Sequence, residues 1–140
     1  PPRPPGARLL DAASLRFIVI SGTAKATGGI AFLGAMPQLG FSLDETRTSV
    51  FLYESIMQLV FVYPARRISA VPPPNIWIHL AVGWGIALQT LTVLLPPLRT
   101  LLGLVPVSAA VFAAILIAVF LTCAVAEYLS RQQALAQEKP

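Results

Sequence analysis

Residues 107–126, VSAAVFAAILIAVFLTCAVA, run for twenty positions without an Asp, Glu, Lys or Arg. A helix of that length rises ~30 Å, the thickness of a bilayer's hydrocarbon layer. Residues 76–95, IWIHLAVGWGIALQTLTVLL, repeat the pattern with no permanent charge. The chain as a whole is 56% hydrophobic and 11% charged, whereas charged residues make up about a quarter of a soluble domain. It reads as a membrane protein.

Two further helices follow from breakers and caps. Asp11 or Ser14 can start a first helix over residues 14–36, which Pro37 and Gly40 stop. Ser42 or Asp44 can cap a second over 44–63, closed by Pro64, and Asn75 a third over 75–95, ended by Pro96 and Pro97. The fourth covers 107–129. The predicted fold is therefore an all-α bundle of four transmembrane helices over residues 14–130. A Pro/Arg-rich lead-in occupies 1–13 and a polar tail 131–140. The start Pro1-Pro2-Arg3 leads us to expect a piece of a longer chain.

An even number of spans leaves both ends on one side. That side carries Arg3, Arg8, Arg16, Arg66, Arg67, Arg131 and Lys139, against Arg47 and Arg99 opposite. The excess of bases leads us to expect both termini in the cytoplasm, and the membrane is expected to be a plasma (inner) membrane. Bases at span ends set orientation, and no basic helix face points to nucleic acid. Trp77 suits an aromatic belt, while the deeper Trp84 suits packing.

Residues 48–63, TSVFLYESIMQLVFVY, hold one carboxylate, Glu54, and one amide, Gln58, a turn later. At ~100° per residue, Arg47, Phe51, Glu54, Gln58 and Phe61 form one stripe. A charge facing lipid costs at least ~2.5 kcal/mol, so the stripe is expected to face a neighbour or a cavity. Oxygen ligands there suit a hard cation. Lys25, in the first helix, lies at similar depth. Three readings stand open: a structural Lys25–Glu54 pair, an ion pathway, or Lys25 as a built-in counter-ion in part of a cation site.

The other polar residues have quieter readings. Gly22, Ala26 and Gly29 are expected to let a neighbouring helix approach, and Gln89 to bond across helices. The hydroxyls of Ser108, Thr122 and Tyr128 have no Ser/His/Asp grouping to activate them. The lone His79 reads as interfacial and Cys123 as a small apolar residue. No phosphate-cradling glycine loop occurs.

Taken in order, these segments resemble the C-terminal membrane region of P-type cation-transporting ATPases, the group of the calcium and sodium/potassium pumps. PPRPPGARLL is similar to the cytoplasmic loop before that family's seventh helix. TRTSVF, Gln58-Leu59 and Arg66 resemble its eighth. Asn75-x-Trp77, Leu88-Gln89, Pro96-Pro97-Leu98, Gly103 and Val105-Pro106 resemble its ninth and the loop to its tenth. Phe61 and Pro64 depart from the asparagines, and Ser49-Val50 from the Met-Ala, of many members.

The resemblance implies the C-terminal part of an ATP-driven cation pump, scaffolding the transport helices and touching the cation site. It implies that ATP and Mg2+ act in cytoplasmic domains elsewhere in the pump, and that partners are membrane lipid and the rest of the pump. It carries a cation-ligand role onto Gln58, with Glu54 as a neighbour in the site or the partner of Lys25. The rival expectation is a stand-alone four-helix accessory or structural membrane protein.

Overall fold

Backbone groups in an apolar chain must bond internally, and the computed structural model, which describes residues 12–66 and 75–137, does so with helices alone. Among the described residues these are α1 (Ala12–Gln38), α2 (Leu43–Val60), α3 (Val62–Arg66), α4 (Ile76–Leu94), α5 (Pro96–Leu101) and α6 (Ala109–Gln137). The lead-in prolines and Asp11 lie outside the described residues.

The breakers act by identifiable means. α1 takes Pro37 into its last turn and closes at Gly40 (φ +88°), with the Phe41 N–H on the Met36 carbonyl at 3.1 Å. α2 starts on a full capping box: Ser42 Oγ accepts from the Glu45 N–H, and Glu45 returns to the Ser42 N–H at 2.9 Å. It ends at Val60, short of the expected 63, because Pro64 has no N–H for the Val60 carbonyl. α3 resumes past that break. Asn75 caps α4 by accepting from the Trp77 N–H at 3.0 Å. Pro96 and Pro97 end α4 and also begin the short α5, as prolines fit a first helical turn. α6 runs on to Gln137, so part of the expected polar tail is helical.

α2 is the hub, antiparallel to α1 and α4 and parallel to α6. It packs against α1, α4 and α6, while α6 also packs on α1 and α3. Leu52, Tyr53, Ile56 and Met57 form the middle of the core, joined by Met36 from α1, Val93 from α4, and Val111, Ile115 and Val119 from α6. Outward faces of the other long helices are apolar and exposed, including Ile30 (67%), Trp84 (69%) and Phe120 (72%). Such faces suit lipid rather than water.

Among the described residues, three helical stretches are long and apolar enough to cross a membrane: Ser14–Gln38, Ile76–Leu94 and Ala109–Leu129. The protein is an integral membrane protein. Three of the four expected spans qualify by length and composition, whereas α2 carries Asp44, Glu45, Arg47 and Glu54 and is too polar to qualify on composition. Its apolar face goes to the other helices instead.

Hydroxyls inside the helices bond their own preceding turn, which removes their cost in an apolar setting. Ser21 bonds the Phe17 carbonyl, Thr27 that of Thr23, Thr46 that of Ser42 and Ser49 that of Glu45. Thr48 looks outward, accepting from the Val105 N–H at 3.0 Å and tying the α5–α6 connection to α2.

Candidate functional site

The cap at Ser42 fixes where α2 begins, and from there the helical period puts Glu54 and Gln58 on the face toward α1. Lys25 of α1 reaches between them. Its Nζ donates to Gln58 Oε1 at 2.6 Å and sits 2.9 Å from Glu54 Oε2. One ammonium thus bridges a carboxylate and an amide carbonyl one turn apart. The Lys25 side chain is 21% exposed and that of Glu54 37%, so the cluster lies at the α1–α2 edge with one side open.

Two glycines make the approach possible. A Cβ on Gly29 would lie 2.8 Å from Glu54 Oε1, and one on Gly28 only 2.1 Å from the Tyr53 hydroxyl. Of the three small residues expected at an interface, Gly29 alone meets α2. Gly22 has nothing within 4 Å of its would-be Cβ, and Ala26 is exposed. Both are corrected to positions on the open face of α1. Gly28 is the packing residue that the expected spacing passed over.

Tyr53 holds the site from behind. It is wholly buried, and its hydroxyl donates to the Lys25 carbonyl at 3.3 Å and lies 3.0 Å from Thr122 Oγ1. Since a carbonyl only accepts, Thr122 is the donor in that pair. The Phe32 ring lies 5.5 Å from the Tyr53 ring, tilted by 44°. α1, α2 and α6 are therefore tied together at the backbone of the residue whose ammonium bridges the site. Sequence reasoning missed Tyr53. Its signal was a phenol in an apolar run, which needs a polar partner once buried.

The remaining polar residues are dispersed. His79 Nδ1 lies 3.0 Å from the Tyr63 hydroxyl, with the rings stacked at 5.4 Å, joining α4 to α3. Gln89, expected to bond across helices, has a buried Nε2 with no hydrogen-bond partner among the described residues. Leu59 against Gly85, with Tyr63 on His79, sets an antiparallel register that puts Gln89 level with Ser55. No group of three or more His, Cys, Asp and Glu side chains gathers among the described residues.

Chemically, Glu54 and Gln58 offer hard oxygen atoms, and Lys25 occupies the space between them where a cation would sit. Two residues fall short of the ~6–8 oxygens a calcium ion takes. A complete site therefore needs donors from other helices.

No curated protein and no solved structure matches this chain. The family model described as the C-terminus of cation transporting ATPases matches residues 1–131. With three bilayer-length apolar helices around a charged inner one, and with that match over nearly its whole length, the chain belongs to the family of cation-transporting ATPase C-terminal regions.

Proposed function

We propose that the chain is the C-terminal membrane part of an ATP-driven P-type cation pump, supplying the edge of its cation path at Gln58 and Glu54. The observation that carries this reading is the Lys25 bridge: an ammonium held by two oxygen ligands at 2.6 and 2.9 Å marks a place built for a positive charge. Lys25 acts as a built-in counter-ion, neutralising Glu54 when no cation is present and withdrawing when one arrives. In this reading α2 is a fourth crossing, its apolar face against its neighbours. Both termini are cytoplasmic, in the plasma membrane, and ATP and Mg2+ act in cytoplasmic domains elsewhere in the pump.

The test is the cation dependence of ATPase activity in the full-length pump. Gln58→Ala and Glu54→Gln should each raise the half-saturating cation concentration by about tenfold, equivalent to ~1.4 kcal/mol. Unchanged cation dependence in both variants would overturn the reading. A double-mutant cycle with Lys25→Met and Glu54→Gln should show non-additivity of at least ~0.5 kcal/mol.

The second reading is a structural accessory bundle. It is favoured by the way α2 is wrapped on three sides by its own chain. Coupling of Lys25 and Glu54 in stability alone, with no effect on cation dependence, would select it.

A further inference from the structure

α5 buries none of its residues, and among the described helices it packs on α4 alone. Its depth is fixed at both ends. The register that sets Leu59 on Gly85 and Tyr63 by His79 brings Leu94, where α4 ends, level with Val50 of α2. Beyond α5 the chain turns at Gly103 (φ +63°), with the Leu104 N–H on the Arg99 carbonyl at 2.9 Å, and the Val105 N–H then meets the Thr48 hydroxyl. Both ends of the α5 segment thus meet α2 at nearly one level, so the short helix lies across the bundle rather than standing out from it. That level is six residues inward of the Ser42 cap, a rise of ~9 Å, and the charged first turns of α2 stand beyond it.

One side of α5 is apolar. At ~100° per residue, Leu98, Leu101 and Leu102 share a face, Arg99 flanks it, and Pro96 and Thr100 lie opposite. All three leucines are exposed, Leu101 by 79%, and they continue the exposed surface of Leu91, Leu94 and Leu95 at the end of α4. The Arg99 guanidinium reaches the Val93 carbonyl at 3.4 Å and has no carboxylate partner among the described residues. Its remaining N–H donors suit a phosphate. Leucines on one side, a base at their rim and an axis across the bundle describe an element of the headgroup–acyl boundary.

We propose that α5 is an in-plane anchor that binds phospholipid in the leaflet on the side of the α1–α2 connection, its leucines among the acyl chains and Arg99 on a headgroup phosphate. The capped turn at Gly103 and the Thr48 bond join the anchor to α2, so lipid contact sets the height of the helix that bears Glu54 and Gln58. The inference stands apart from the cation-site reading.

Fluorescence quenching tests it, in the full-length protein freed of other cysteines and reconstituted in vesicles of phosphatidylcholine and phosphatidylglycerol. A bimane on Leu98→Cys or Leu101→Cys should be quenched by brominated lipid and not by aqueous iodide, and one on Thr100→Cys by iodide. Iodide quenching at the leucine positions would stand α5 in water, and shielding from both quenchers would put a protein partner on it; either overturns the anchor. At Leu101→Cys, brominated phosphatidylglycerol should bind about fivefold more tightly than brominated phosphatidylcholine, the worth of one base near an anionic surface. Arg99→Gln should abolish that preference and Arg99→Lys keep it. A preference that survives Arg99→Gln would overturn the headgroup contact.

Discussion

α2 and α6 invert the usual relation between hydropathy and burial. From Ala109 to Ala126 α6 carries no charge, yet that stretch buries only Val111, Ile115, Val119 and Ala126 while Ile117 and Phe120 stand 60% and 72% exposed. α2 has four charged residues in eighteen, and its Leu52, Tyr53 and Met57 are fully buried. In a membrane, the apolarity of a helix reports the solvent on its outer face, whereas its place in the bundle is set by packing. A helix surrounded by its neighbours is free to carry charge. Glu54 itself sits at the open α1–α2 edge, where Lys25 of α1 pairs with it.

The largest test of this contrast is to charge the outer face of α6. Phe120→Asp should raise the apparent insertion free energy of that segment by about 3 kcal/mol in a glycosylation-mapping assay. Insertion equal to the parent would show that this face does not meet lipid. Next comes the inner contact of α2. Gly28→Ala drives a methyl into the Tyr53 hydroxyl and should lower unfolding stability in detergent by about 1–3 kcal/mol. Gly22→Ala, which meets nothing, should be neutral or stabilising by up to ~1 kcal/mol. Equal effects from the two glycines would dissolve the distinction between the faces of α1.

The smallest effect concerns the cap. Hydrogen bonds from the Ser42 backbone, then its hydroxyl, hold the Glu45 carboxyl below its ordinary range. A depressed folded-state value means the stabilisation is present above the unfolded value, near 4.5, and fades as pH falls through the folded one. Ser42→Ala should cost about 1 kcal/mol at neutral pH and flatten the acid limb of thermal stability between pH 5 and 3. A variant that keeps the parent's acid limb would assign that limb to other carboxylates.

Much of this was legible before any coordinates. The uncharged runs, the prolines and the caps at Ser42 and Asn75 are local signals, and each depends on the chemistry of a few adjacent residues. The matched depth of Lys25 and Glu54 was legible too, since depth can be counted from breakers. What sequence does not encode locally is helix rotation. α1 is apolar nearly all round, so nothing in its pattern says that Gly28 and Gly29 rather than Gly22 face α2. The role of Tyr53 was hidden for the same reason: its partners are a backbone carbonyl on α1 and a hydroxyl on α6, brought together only by packing. For α2 the pattern said that Glu54 and Gln58 would face a neighbour or a cavity, and rotation alone decided that the neighbour is Lys25 of α1.

The missing rung at Pro64 has a mechanical consequence. Without an N–H to offer Val60, the chain there is two rods on a soft joint rather than one stiff rod. The lower rod, α3, is braced against α6 and, through Tyr63, against His79. The upper rod bears Gln58 within a turn of the joint and Phe51 nearly three turns away. A small tilt about Phe61 therefore barely moves the Gln58 amide and swings the Phe51 ring several times further, so the joint turns a slight motion at one end of α2 into a larger one at the other.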